Sequence, residues 1–350
     1  PFGALHISDT HLTRVDERDN ERKKSLSAAR QRAFKWAEHY FDAHIRYAAD
    51  NDMIMLHTGD LIDFVSEANL SFIEGQLGVG NWFASAGNHE YSQFVGEARE
   101  DAAYKAQSYD KVQAAYPNNL TLASQVVNGV NFVAIDDVYY NFTEQQHELM
   151  EREVKRGLPI VMMCHVPLYT PRHCEYGLKQ TKGLAAYLTG APLEITSKYR
   201  EYPNLAPDEK WRNRSIQQRA DKPTLDFIAW LKEQPQLKAI LCGHTQAITG
   251  CSQSIRITEP DVGFWGLSDG KLLVFFCCFC IIVFVHGNAQ GLEEIAVRIV
   301  HGFHSRYPVQ NSREDMQAHS LIVEFVGQTF SATEKIQRRK CPVIAGTNLR

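Results

Sequence analysis

Ala86-Gly87-Asn88-His89-Glu90 is the stretch on which the reading of this chain turns. It follows a short apolar run, Trp82 to Ala86, and sets an amide, an imidazole and a carboxylate side by side behind a glycine. At the end of a strand such side chains bind metal ions or move protons. Alone, His89 reads as a surface turn residue, the usual fate of an isolated histidine. Its company elsewhere in the chain changes that reading.

Upstream, Phe2 to Ser8 is a short apolar strand ending at Asp9-Thr10-His11, and Met53 to His57 is a second, running into Gly59-Asp60-Leu61-Ile62-Asp63. Downstream, Pro159 to Cys164 ends at His165-Val166-Pro167, and Leu237 to Cys242 ends at Gly243-His244-Thr245-Gln246. Five strands thus each end in metal-ligand residue types. In open α/β sheets, sites form beyond the carboxyl ends of strands, so the five clusters are expected to converge. Between them, Ser25 to Ala49 reads as one long amphipathic helix with Phe34, Ala37, Tyr40, Phe41, Ile45 and Ala48 on one face. Further helices are expected over Glu67 to Gln76, Gly96 to Tyr116, Thr143 (as N-cap) to Gly157, and Lys222 to Gln234. Leu120 to Val127 and Val130 to Ile135 flank Asn128-Gly129, a hairpin signal. Strands alternating with helices imply a sheet covered by helices. Residues 168–222 read as an irregular, tyrosine-rich insert that either lines a substrate pocket or packs over the sheet.

Asp, His and Asn are hard or borderline ligands, suited to Mn, Fe, Zn or Mg. Two divalent ions about 3.5–4 Å apart need a bridging carboxylate and can share a hydroxide that is a strong nucleophile near neutral pH. Such a hydroxide could attack phosphorus in line, and a nearby imidazole would stabilise the transition state or protonate the leaving oxygen.

With Asp9-x-His11, Gly59-Asp60, Gly87-Asn88-His89-Glu90, His165 and Gly243-His244 in this order, the chain resembles the calcineurin-like metallophosphoesterases over about residues 3–246. The resemblance implies an α/β fold, an αββα sandwich of two mixed β-sheets flanked by helices, with a dinuclear metal centre. It implies that Asp9 and His11 hold the first metal, Asp60 bridges, and Asn88, His165 and His244 hold the second. His89 is then the catalytic imidazole, with Glu90 or Asp9 as its orienting carboxylate. Asp63 is expected to support the ligands from behind, as is His57 if it does more than fill the core. His173, His301 and His304 are expected to be bystanders. The setting Ser8-Asp9-Thr10-His11 is similar to the phosphodiesterase branches, and no Arg-Gly follows Asp63 as in the protein serine/threonine phosphatases. One position departs from the family. Gln246 stands where a last His usually ligates the first metal, and its carbonyl oxygen is a weaker donor, so the first site is expected to bind more loosely.

The expected activity is therefore metal-dependent hydrolysis of a small phosphodiester or phosphomonoester. The rival reading is a binding or scaffold protein that kept the sandwich and lost turnover at Gln246. With 350 residues, 44% hydrophobic and 22% charged, the chain is that of a soluble globular protein with room for a large core. A net charge of -4 gives no reason to expect nucleic acid as partner, and there is no basic stripe. Eight cysteines without zinc-ribbon spacing read as buried thiols. Four sequons, at Asn69, Asn119, Asn141 and Asn213, are close to chance and say little about secretion; the compartment stays open, with a cytoplasmic location slightly favoured. The chain opens at Pro1 directly in a strand, and an upstream segment is expected to precede it. Leu272 to Val285, fourteen apolar or Cys residues, is shorter than the roughly 20 of a membrane span and reads as one or two buried strands. The catalytic domain is expected to span 1–300, with 247–285 as an atypical region, and 301–350 to be an extension ending in a polar tail.

Overall fold

Successive residues of a strand face opposite sides, and in the first strand each side finds its own core. The computed structural model describes residues 2–78, 80–96, 100–201 and 214–244, together with the strand backbones at 273–276, 281–288, 291–301 and 321–323. Its first half runs β1 (Phe2–Ile7), α1 (Glu21–Arg30), α2 (Ala37–Asp50), β2 (Ile54–Thr58), α3 (Glu67–Leu77) and β3 (Trp82–Ser85). A 3-10 turn at His89–Tyr91 leads to α4 (Ala102–Ala106), α5 (Tyr109–Ala115), β4 (Leu122–Val127), β5 (Val130–Ile135), α6 (Glu144–Lys155) and β6 (Ile160–Met163). Then come α7 (Pro171–Gln180), α8 (Leu193–Thr196), α9 (Arg214–Gln217), α10 (Lys222–Lys232) and β7 (Leu237–Cys242). The last strands are β8 (Leu273–Phe276), β9 (Ile281–Asn288), β10 (Gly291–His301) and β11 (Leu321–Val323).

Two mixed sheets result, ordered β11-β10-β9-β1-β2-β3 and β4-β5-β6-β7-β8. β1, β2 and β3 are parallel, as are β5 to β8, whereas β9 and β4 join antiparallel. Ala4, Ile54, Leu56 and Phe83 of the first sheet meet Phe132, Ala134, Val161, Met163 and Leu241 of the second. On the outer face of the first sheet, Leu5, Ile7, Met55 and Ala84 pack under Phe41 and Ala48 of α2, Ile73 of α3 and Val112 of α5. On the outer face of the second, Val133, Ile135, Met162 and Ile240 pack under Met150 of α6 and Phe227 and Leu231 of α10. The layers are helix, sheet, sheet, helix, as expected.

Several local expectations hold for identifiable reasons. Thr143 caps α6 in a capping box with Gln146. Asn128 and Gly129 turn the β4–β5 hairpin with φ of 49° and 82°, the left-handed pair that a tight hairpin needs.

Three expectations are corrected. The helix expected over 25–49 is two helices. The amides of Ala33 and Phe34 both bond the Arg30 carbonyl, which tightens and ends α1, and Phe34 leaves the apolar face to stack on His11. The helix expected over 96–116 is the short pair α4 and α5. It breaks at Ser108, whose hydroxyl donates to the Tyr91 carbonyl. Nor is the insert wholly irregular: Thr170 caps α7, with Pro171 at its first position.

The apolar run at 272–285 forms parts of two strands, and they belong to different sheets: β8 lies beside β7, and β9 beside β1. Among the described residues no helix is long and apolar enough to cross a membrane. Gln246, most of the region 247–285 and the polar tail lie outside the described residues.

Candidate metal centre

The carboxyl ends of β1, β2, β3, β6 and β7 carry Asp9, Asp60, Asn88, His165 and His244. Left-handed backbone is used at most of these ends. Asp9, His11, Asp60 and His244 have φ of 54°, 52°, 56° and 68°. Such conformations cost roughly 1–2 kcal/mol each in non-glycine residues and concentrate at functional sites. Gly59 and Gly87 let two of the loops touch, since a Cβ on Gly59 would overlap the Gly87 backbone and one on Gly87 would overlap Asp60.

One buried carboxylate ties those loops together. Glu90 accepts the amides of Asp60 (2.8 Å) and Gly87 (2.6 Å) on Oε2. Its Oε1 accepts those of Leu61 (2.7 Å) and Ile62 (3.3 Å) and the Tyr116 hydroxyl (3.1 Å). Burial and the neighbouring Asp60 push the Glu90 carboxyl up, and the donated amides pull against them.

Asp60 stands at the middle. Its Oδ2 lies 3.7 Å from His11 Nε2 and 3.3 Å from His165 Nε2, while Oδ1 accepts the His89 amide at 2.9 Å. Two groups of donors share it. Ligand atoms of Asp9, His11 and Asp60 lie within 4.8 Å of one another, and so do those of Asp60, His165 and His244. Asn88 Oδ1 adds a donor 3.2 Å from His165 Nε2. The sequence-predicted residues Asp9, His11, Asp60, Asn88, His165 and His244 therefore converge.

The donors fit divalent cations. His165 Nδ1 donates to the Thr58 carbonyl at 2.7 Å, so in the neutral ring Nε2 carries the lone pair. That lone pair faces Asn88 Oδ1, Asp60 Oδ2 and His244 Nδ1, the last at 3.1 Å. Electron-rich atoms converging in a buried place call for positive charge. Burial alone would lower the His165 imidazole, yet Asp60 and then Asp9 hold it up to about 10. Burial would raise Asp60, but His165 and His89 keep it well below the usual carboxylate range.

His89 has its Nδ1 2.7 Å from the Asp63 carbonyl and 3.2 Å from Asp63 Oδ1, and its side chain is 16% exposed. Burial would lower it; Asp60 and Asp63 raise it to about 10. The carboxylate beside His89 is thus Asp63, not Glu90 or Asp9. Glu90 is consumed by amides, and Asp9 accepts the Ser8 hydroxyl (2.6 Å) and the His244 amide (3.0 Å). Asp63 also accepts His11 Nδ1 at 3.0 Å and a two-pronged Arg30 at 2.6 and 2.8 Å. Burial would raise its carboxyl, but Arg30, His11 and His89 together hold it far below the usual range.

His57 is buried in β2, bonded to Thr10 Oγ1 at 3.0 Å and to the Gly59 amide at 3.2 Å, so it braces two of the loops. His173 is buried in α7 and belongs to none of the groups of candidate metal ligands among the described residues. Sequence reasoning missed Arg30, Phe34, Asp137 and Tyr140. Asp137 accepts the His165 and Val166 amides at 3.0 and 3.1 Å, and the Tyr140 hydroxyl lies 3.3 Å from His244 Nε2. The Asp136-Asp137 pair after β5 was the one available signal, a sixth strand end with carboxylates.

Among solved structures, the chain is similar to a dimetal phosphatase from Danio rerio, at 11% identity and TM-score 0.44 over 85% of this chain and 98% of that one. It is also similar to the calcineurin-like phosphoesterase YfkN from Bacillus subtilis, at 9% identity and TM-score 0.33 over 85% and 90%. No curated protein matches the chain. The model of the calcineurin-like phosphoesterase family matches residues 4–247, from β1 to just beyond His244. That match spans every strand end of the cluster, and the chain belongs to the calcineurin-like phosphoesterases.

Proposed function

We propose that this metal-dependent phosphoesterase hydrolyses a small phosphodiester or phosphomonoester with His89 as its catalytic imidazole. The observation that carries the reading is the sharing of Asp60 between two groups of donors, Asp9 with His11 and His165 with His244. Asn88 completes the second group, and Gln246, outside the described residues, is the weak candidate to complete the first. Two divalent ions held there, manganese, iron or zinc by donor chemistry, would activate water and neutralise charge on the phosphoryl oxygens.

The protein's own contribution follows from its hydrogen bonds. Glu90 and Asp137 hold the backbone of the ligand loops, so the ligands are set before substrate arrives. His89 is held by Asp63 through its Nδ1, and among the described residues its Nε2 makes no hydrogen bond. When that nitrogen carries a proton it can donate to the oxygen of a leaving alcohol, which favours diesters with poor leaving groups. The insert lies on the substrate side in this reading, because the Tyr187 ring stands 5.7 Å from that of His244. The catalytic unit is assigned to 1–300, with 301–350 as an extension that lends β11 to the edge of the first sheet.

A second reading, a weakened or inactive scaffold, rests on Gln246 and the atypical region that follows it. Hydrolysis of bis-p-nitrophenyl phosphate and p-nitrophenyl phosphate by manganese-loaded protein, beside His89→Ala, separates the two. An enzyme loses turnover in the variant while retaining its metal. Absence of turnover from folded, metal-bearing wild-type protein would favour the scaffold.

A further inference from the structure

We infer that Arg30, assisted by Phe34, is a positioning residue for this site, fixing through Asp63 the ring orientations of His11 and His89 together. The inference rests on the proposed roles of His11 in metal binding and His89 in catalysis.

The Arg30 fork grips Asp63 with Nε on Oδ2 at 2.6 Å and Nη2 on Oδ1 at 2.8 Å. A two-pronged guanidinium contact fixes the plane of a carboxylate, which a single ammonium does not do. With that plane set, one oxygen, Oδ1, faces both His11 Nδ1 at 3.0 Å and His89 Nδ1 at 3.2 Å. The two rings meet edge to face, 4.6 Å apart at 89°, and the Nε2 edge of His11 is directed towards Asp60. Phe34 closes the arrangement. It stacks on His11 at 4.4 Å and 15°, and the Arg30 guanidinium lies 4.9 Å from its ring centre. Arg30, Asp63, His11 and Phe34 thus form a closed ring of contacts.

The end of α1 exists in the form that this ring requires. The carbonyl of Arg30 holds the amides of Ala33 and Phe34, so the turn that stops the helix also presents both side chains. Loss of the fork frees Asp63 to rotate, and a single oxygen no longer serves two rings. Metal affinity at the His11 side and proton donation by His89 then fall together, although Arg30 touches neither metal ligands' donor edges nor substrate.

The test compares Arg30→Gln and Arg30→Lys with wild type in three measurements. In metal-free protein, nitrogen-resolved NMR reads the hydrogen-bonded Nδ1–H of His11 and His89. Titration with manganese reads affinity, and p-nitrophenyl against phenyl phosphate reads dependence on the leaving group. The expected Arg30→Gln result is loss of the His11 Nδ1–H signal, a shift without loss of the His89 one, which keeps its 2.7 Å bond to the Asp63 carbonyl, about tenfold or more weaker manganese binding, and a larger loss on the phenyl ester. Guanidinium at a non-denaturing concentration restores part of all three, and Arg30→Lys, with charge but no fork, falls between. Signals and affinity unchanged in Arg30→Gln would overturn the inference. So would losses that neither guanidinium nor lysine relieves, since those mark a general structural defect. If the wild type cleaves neither ester, the functional reading fails, while NMR and manganese binding still decide the role of Arg30.

Discussion

Glu90→Gln changes one atom in the carboxylate that ties the Asp60 loop to Gly87. The five donors around Glu90 leave a neutral amide no good orientation. With its oxygen in the place of Oε1, it keeps Leu61, Ile62 and Tyr116, but its NH2 then faces the amides of Asp60 and Gly87. Two buried N–H groups are left without acceptors, at about 1–3 kcal/mol each, so the expected destabilisation is about 4 kcal/mol. The reverse orientation strands the Leu61 and Ile62 amides while the Tyr116 hydroxyl turns to accept from the NH2, at a similar cost. Against a total stability of roughly 5–15 kcal/mol this is a large fraction. Urea unfolding of metal-free protein should show a lower midpoint with unchanged slope, and thermal unfolding a fall of roughly 5 °C. Manganese affinity should fall too, because the displaced loop carries Asp60. A variant within about 1 kcal/mol of wild type would refute this reasoning. It would mean that Glu90 carries a proton in the folded protein, with the upward push of burial and Asp60 overcoming the donated amides.

His6 is fully buried and held down to about 3 by burial, against an ordinary 6.5. The unfolded chain therefore takes up its proton first. Stability falls by about 1.4 kcal/mol per pH unit from 6.5 down to 3, or about 2 kcal/mol by pH 5. His6→Leu should remove that share of the difference between unfolding free energies at pH 7 and pH 5; an unchanged difference would exclude it. Gly129→Ala, at φ 82°, should cost about 1–2 kcal/mol by urea titration, and a neutral result would mean that the hairpin turn relaxes. Chelation should lower the unfolding temperature, and manganese at a hundredfold over Kd should return about 2.7 kcal/mol for each ion bound. Indifference to both treatments would refute a resident metal centre.

The ligand cluster was legible because each strand is short and apolar and stops at a residue that has no reason to be there for packing. Asp9, Asp60, Asn88, His165 and His244 announce themselves by position. Arg30 and Phe34 do not, because an arginine and an aromatic four residues apart look like any amphipathic helix. Only the tertiary contact with Asp63 and His11 tells why α1 ends there. Asp63 was read as a supporting carboxylate, but its place beside His89 depends on how the 3-10 turn swings that ring, which no spacing encodes. The run at 272–285 shows the same limit in the fold. A continuous apolar stretch announces strands, yet nothing in it says that its two halves belong to opposite sheets.

That separation has a consequence for how the protein is made. β1 lies between β2, which is parallel and close in sequence, and β9, which pairs antiparallel from Phe2↔Val285 to His6↔Ile281. During synthesis, the strand that presents Asp9 and His11 keeps one backbone edge unpaired until residues 281–288 leave the ribosome. Until then it is an open template for another chain, and the apolar partner that finally covers it is itself prone to strand association. Chains truncated before residue 281 are therefore expected to aggregate more readily than the full chain, independently of anything that happens at the metal centre.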